Sequence, residues 1–188
     1  VNDVIGGYNT FIEEQKKIPG EARVTFVQFD DKYEEVYVGK PLQSVPTLNR
    51  DTFVPRGSTA LLDAIGRTLN SQSLRIKNEG WAELVVVCII TDGEENASKE
   101  YTAERVRTLT QEAEDKGWKF VYLGANQDAF KVTQHLGFRG AISANYSADS
   151  VGTKYAYGVM GQTMSCLRSG GSEEDLKAFV KKDTSTTT

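Results

Sequence analysis

The chain has 188 residues with 39% hydrophobic and 26% charged side chains, a size and composition that suit one globular domain and exclude collagen-like, coiled-coil and disordered classes. The formal net charge of −4 argues against nucleic acid and anionic membrane surfaces as partners. No apolar stretch reaches the roughly 18 residues of a membrane span, and two cysteines, Cys88 and Cys166, are too few for a secreted disulfide framework. We therefore expect a soluble, cytoplasmic protein with reduced thiols.

The beginning of the chain predicts a helix followed by a hairpin. Apolar residues at helical spacing indicate a helix over residues 2–18, which ends before Pro19-Gly20. Alternating β-forming residues then predict a strand over 22–29 and, after Asp30-Asp31, a second strand over 33–38. Glu34 and Glu35 in the second strand suit an exposed sheet edge.

Residues 41–56 contain three prolines and predict an extended connection. An apolar stripe then predicts a helix that begins near Thr59 or Ala60 and runs to about Ser73. Ser58 or Thr59 is expected to be its N-cap, because a hydroxyl can accept a hydrogen bond from a free amide of the first turn.

The rest of the chain alternates strand and helix. Its predicted elements are strands over 84–91, 119–123 and 140–144 and helices over 102–116, 128–136, 150–168 and 173–182. This alternation predicts an α/β fold of the Rossmann-like type, a doubly wound, mostly parallel sheet with helices on both faces and one antiparallel edge strand. We assign residues 1–168 to this domain and residues 169–188 to a C-terminal helix and polar tail.

The strand over 84–91 ends abruptly at an acidic residue. A continuous apolar run is followed at once by Thr91-Asp92-Gly93-Glu94, which indicates a buried strand that places Asp92 at a sheet edge. Ligands of open α/β sheets bind beyond the carboxyl ends of the strands. Asp92 therefore lies where a binding site is expected.

A second polar segment, Gly57-Ser58-Thr59, is expected at the same edge. A hydroxyl and a carboxylate near an open coordination position suit a hard cation such as Mg²⁺, whose free position a partner's carboxylate could fill. The structural alternative is that Ser58 and Thr59 only cap a helix and that Asp92-Gly93 only forms a tight turn.

Two sequence segments carry a resemblance to a known family. Residues 57–65, Gly-Ser-Thr-Ala-Leu-Leu-Asp-Ala-Ile, and 89–94, Ile-Ile-Thr-Asp-Gly-Glu, resemble the second and third parts of the metal-ion-dependent adhesion site of von Willebrand factor type A (vWA) domains. The similarity extends over about residues 1–145 and implies a protein-binding module rather than an enzyme.

The resemblance also implies a set of site residues. Thr59 would be the metal-binding threonine, and Asp92 would bind the cation directly or through water. The cation would be Mg²⁺, with Mn²⁺ or Ca²⁺ as alternatives. The expected rim of the partner-binding surface consists of Gly57, Ser58, Gly93, Glu94 and Asn126.

One part of the family pattern is missing. The first motif, Asp-x-Ser-x-Ser after a central strand, should precede the first helix, but the chain begins within that helix. The resemblance therefore predicts a missing central strand between the strands over 22–29 and 84–91, either truncated or supplied by another chain. Without that motif, we expect cation binding to be weak or absent.

Two other functions remain open. A metal-assisted hydrolase would use Asp92 and Glu94, and a structural assembly protein would keep the fold with a degenerate metal site. His135 is the only histidine of the chain, and this count excludes histidine-based metal clusters. No phosphate loop, dinucleotide fingerprint or nucleophile elbow is present.

Overall fold

A computed structural model of the chain describes residues 1–80, 83–125, 127–172 and 176. Its helices are α1 (Asn2–Lys16), α2 (Leu61–Glu79), α3 (Ala103–Asp115), α4 (Ala129–His135) and α5 (Ser150–Arg168). Its strands are β1 (Arg23–Phe29), β2 (Tyr33–Pro41), β3 (Val86–Thr91), β4 (Lys119–Ala125) and β5 (Ile142–Tyr146). The ten helices and strands predicted within these residues are all confirmed. A short 3-10 helix, Leu42–Ser44, lies in the connection that the prolines predict to be extended.

Helix α2 continues beyond its predicted end near Ser73. In these last turns Ile76 still packs against the core, whereas Leu74 is 61% exposed. An ion pair between Arg75 and Glu79, one turn apart at 2.9 Å, stabilises this exposed part. The helix ends at Gly80, whose φ of +69° is favourable for glycine and whose N–H donates to Ile76 O.

The strands lie in two sheets instead of one. β1 and β2 form a two-stranded antiparallel sheet, and β3, β4 and β5 form a three-stranded parallel sheet in that order. The fold is therefore mixed α/β, as predicted, but the single sheet is not observed. The strands predicted over 22–29 and 84–91 belong to different sheets, and an additional strand between them stays a prediction.

The register between β3 and β4 defines the edge at which the predicted site should lie. β4 occupies the middle of its sheet and is buried from Phe120 onward. Thr91, the last residue of β3, pairs with Gly124 near the end of β4. The carboxyl ends of both strands therefore meet at one edge, and the chain leaves β3 there into Asp92.

The chain forms two compact units. The first comprises Val1–Gln28, Glu35–Pro55 and the described part of Tyr146–Thr188. Within it, α1 packs closely on α5, where Gly7 leaves room for the ring of Tyr157. One cluster of buried core residues in this unit consists of Tyr8, Ile12, Leu42, Val45 and Leu48.

The second unit comprises Phe29–Glu34 and Arg56–Asn145. Its core is formed by apolar side chains of α2, α3, β3, β4 and α4, among them Leu61, Leu69, Ile89, Val106, Phe120, Tyr122 and Leu136. Every residue of the predicted site that the structure describes belongs to this unit.

Three predicted features fall outside the described residues. Asn126, the polar tail and, apart from Leu176, the helix over 173–182 are not described. Within the described ranges, none of the helices has the length and apolar character needed to cross a membrane.

Candidate functional site

The two segments predicted to converge do meet. The side chain of Thr59 lies directly against the backbone of Gly93, so a Cβ added to Gly93 would collide with Thr59 Oγ1 and would lie 3.7 Å from Thr59 Cγ2. Only glycine, which has no side chain, allows this approach. The hydroxyl that precedes α2 and the turn that follows β3 therefore share one location, while a role of Thr59 and Asp92 as metal ligands stays a prediction.

A local hydrogen-bond pattern shapes the turn after β3. Thr91 is buried, and its hydroxyl donates to Gly93 O at 3.1 Å and accepts the Gly93 N–H at 3.3 Å. Gln127, which follows β4 in the chain, donates from Nε2 to Gly93 O at 3.4 Å. The turn proposed as the structural alternative is thus real, and it leaves the Asp92 side chain exposed.

Asn96 holds the Thr59 backbone from one side. Thr59 N–H donates to Asn96 Oδ1 at 2.9 Å, and Asn96 N–H donates to Thr59 O at 3.0 Å. This reciprocal pair joins residues 37 positions apart and satisfies both backbone groups of Thr59. Asn96 could not be predicted from the sequence, because no local pattern distinguishes it from other loop asparagines.

Asp30 also holds this loop through hydrogen bonds. Its buried carboxylate accepts hydrogen bonds from Arg56 Nε and from Lys32 N–H at 2.7 Å, and its backbone oxygen accepts the Ala60 N–H at 2.7 Å. Burial acts to raise the pKa of Asp30, but the hydrogen bonds from Arg56 and Lys32 outweigh it, so the pKa lies below its usual value. One sequence signal could have identified Asp30 as a site residue. It stands directly after a predicted strand, as Asp92 does.

The N-terminus of α2 is not capped as predicted. Ala60 occupies the N-cap position without a side-chain hydrogen bond. The free amides of the first turn are satisfied from a remote loop instead, because Leu62 N–H donates to Glu95 Oε2 at 2.9 Å and Asp63 N–H donates to Ser98 Oγ at 3.1 Å. The prediction of Ser58 or Thr59 as the cap was therefore wrong, and both hydroxyls are free of that task.

Asp63 ties the first turn of α2 back to the same loop. Its buried carboxylate accepts three backbone N–H groups, from Lys99 at 2.8 Å, Glu100 at 2.9 Å and Tyr101 at 2.8 Å. Burial acts to raise its pKa, but these amides and the positive charge of Arg67 outweigh it, so the pKa of Asp63 is lowered. The carboxylate thus fixes the loop that carries Glu95 and Asn96.

The remaining predicted residues lie on the surface of this edge. Gly57, Ser58, Asp92 and Glu94 are exposed, and Thr59 and Gly93 are half-buried. Within the described part of the chain, the side chains of Ser58, Asp92 and Glu94 form no hydrogen bond or ion pair. Their polar groups are therefore available to a ligand.

The two predicted metal ligands are the Thr59 hydroxyl and the Asp92 carboxylate. A threonine hydroxyl and an aspartate carboxylate are hard oxygen donors of the type that Mg²⁺ accepts. Across the described ranges, no group of three or more His, Cys, Asp or Glu side chains is placed to hold a metal ion. The predicted ligands therefore fit a cation in chemical type, but they are few.

Comparisons with known proteins bear on the fold alone. No family model and no curated protein matches the sequence. Among solved structures, the chain is similar to a vWA-like protein. That protein is proximal thread matrix protein 1 from the mussel byssus, with a TM-score of 0.57 and 12% sequence identity. The match covers 88% of this chain and 43% of the mussel chain, so this chain spans less than half of the mussel protein's length. The likeness supports a vWA-like fold for this chain.

Gly93→Ala is expected to lower the free energy of unfolding by about 1–3 kcal/mol, because the added methyl group collides with Thr59 Oγ1. Gly57→Ala is the matched control, since a Cβ there meets nothing within 4 Å; it should change stability by no more than about 1 kcal/mol. In a Thr59→Ala background, Gly93→Ala should lower the free energy of unfolding by a smaller amount. Urea denaturation of the two glycine variants, of Thr59→Ala and of the double variant Thr59→Ala/Gly93→Ala measures these differences. An equal loss of stability from Gly93→Ala and Gly57→Ala would contradict the contact.

Asp63→Asn is expected to lower the unfolding free energy at neutral pH by about 2 kcal/mol or more, since charge-assisted hydrogen bonds are lost. The folded pKa of Asp63 lies below the unfolded value of 3.8. Its contribution is therefore complete above that value and is lost as the pH falls through the folded pKa. Urea titrations between about pH 6 and 3 should show the difference between the wild type and Asp63→Asn shrinking at acidic pH. A constant difference, or the same behaviour in the exposed control Asp51→Asn, would refute this assignment.

Proposed function

We propose that this chain is a protein-binding module with a vWA-like fold. It recognises its partner at the surface formed by the loop Gly57–Thr59 and the turn Asp92–Glu94, which we call the recognition edge. The observation that supports this most strongly is the placement of the Thr59 side chain against Gly93, which brings the exposed groups of the two segments together.

The recognition edge combines a fixed backbone with unengaged side chains. Hydrogen bonds with Asn96 and Asp30 hold the loop before α2, and the Thr91 hydroxyl fixes the turn after β3. A backbone that is already ordered loses little conformational entropy when a partner binds. The side chains of Ser58, Asp92 and Glu94 are exposed on it, so they can form hydrogen bonds or ion pairs with a partner without breaking internal ones.

The finer form of the proposal includes a divalent cation. Mg²⁺, or alternatively Mn²⁺ or Ca²⁺, would be held by the Thr59 hydroxyl and the Asp92 carboxylate. When bound, it would supply positive charge for a carboxylate of the partner protein. Two protein ligands leave the other positions to water and the partner, so the affinity of this chain for the cation alone is weak. The function involves binding and no catalytic step.

A structural or assembly function is the second candidate. Two observations favour it: the described residues contain no larger acidic metal cluster, and the similar solved structure is a matrix protein of the mussel byssus. In that case the fold is retained, the cation is irrelevant, and neither Mg²⁺ nor a chelator changes the melting temperature.

Isothermal titration of Mg²⁺ and Mn²⁺ into the 188-residue chain separates the two candidates. We expect weak, saturable binding that disappears in Thr59→Ala and in Asp92→Asn, because each removes one of two ligands. Glu112→Gln neutralises an exposed acid on α3 that has no partner among the described residues, so it should behave like the wild type. Absence of binding to the wild type, or equal binding by Asp92→Asn, would reject the cation and favour the structural function.

A further inference from the structure

A cleft of about 460 Å³ lies beside the Glu94 end of the recognition edge, within the second unit. Its apolar lining comes from the start of α2, the start of α3 and one face of α4, and consists of Leu61, Leu62, Ala103, Val132 and Leu136. Clefts of this size hold a side chain or short segment of a ligand. Leu62, Ala103 and Val132 are only half-buried, so apolar surface remains to be covered.

Some charged groups on the rim of the cleft already form hydrogen bonds or ion pairs within the protein, and others do not. Both carboxylate oxygens of Glu95 accept hydrogen bonds, from Leu62, Ala97 and Ser98. Asp128 caps α4 and pairs with Lys131 at 3.2 Å. Among the described lining residues, Glu94 is the acid that makes no hydrogen bond or ion pair.

The charged side chains near the Glu94 end of the recognition edge are mainly acidic. From Asp92 to Ser98 the chain contains three acidic residues, Asp92, Glu94 and Glu95, and no lysine or arginine. Lys131, the one lysine among the described lining residues, is paired with Asp128. A cationic group is therefore attracted to the Glu94 side of the cleft, whereas a carboxylate is repelled unless a metal ion is present.

We propose that this cleft binds a segment of a partner protein that presents a basic side chain, arginine or lysine, next to an apolar residue. The apolar residue and the aliphatic stem of the basic one cover Leu62 and Val132, and the cationic head pairs with Glu94. Long basic side chains bury their stems on apolar surface while the charge stays at the rim. This inference rests on the proposed function, because it names a partner chemistry for the same edge.

The test uses three capped tetrapeptides, acetyl-Gly-Leu-X-Gly-amide with X as Arg, Gln or Glu, titrated into the isotope-labelled 188-residue protein and followed by amide chemical shifts. The Arg peptide should shift the amides of Leu62, Glu94 and Val132 and should bind more tightly than the Gln peptide. Because Glu94 is exposed, Glu94→Gln should weaken the affinity for the Arg peptide roughly three- to fivefold. Added salt should also weaken the affinity of the wild type for this peptide. Glu112→Gln should leave the affinity unchanged.

Three results would overturn the inference: no binding of the Arg peptide, equal binding of the Arg and Gln peptides, or an affinity unaffected by Glu94→Gln. Binding of the Glu peptide that requires Mg²⁺ and is lost in Asp92→Asn, with none of the Arg peptide, would reject the basic partner but support the recognition edge. No binding of any peptide with or without Mg²⁺ would count against both proposals.

Discussion

The contact between the Thr59 side chain and the backbone of Gly93 is the constraint on which the candidate site depends. It requires a residue without a side chain at position 93, and it determines how closely the loop before α2 approaches the turn after β3. Asn96 fixes the Thr59 backbone, and the Thr91 hydroxyl fixes that of Gly93. Each half of the site is thus positioned by its own hydrogen bonds, and the contact joins them.

Acidic residues serve two distinct purposes in the second unit. Asp30 and Asp63 are buried, and their carboxylates accept several N–H groups that hold loops in place, so removing either charge acts on stability. Asp92 and Glu94 are exposed and have no partner among the described residues, so they contribute little to the fold. Asp92 and Glu94 can therefore form new contacts when a ligand binds, while Asp30 and Asp63 keep the backbone of the loops in place.

Periodicity and strand-end chemistry were sufficient to predict the helices, the strands and the meeting of the segments 57–59 and 91–94. The supporting residues could not be predicted in the same way. Glu95 and Ser98 cap α2 from more than thirty positions away, and Asp63 binds amides at a similar separation. Such partners depend on tertiary placement, for which a local pattern has no signal. The wrong N-cap has this cause, since a nearby hydroxyl is the natural local choice.

The central claim is that Thr59 packs on Gly93, and nuclear Overhauser spectroscopy of the isotope-labelled chain tests it most directly. A strong cross-peak between the Thr59 γ2 methyl protons and the Gly93 α protons is expected, because a Cβ in place of an α proton would lie 3.7 Å from that methyl carbon. Absence of this cross-peak in a spectrum where both resonances are assigned would contradict the site.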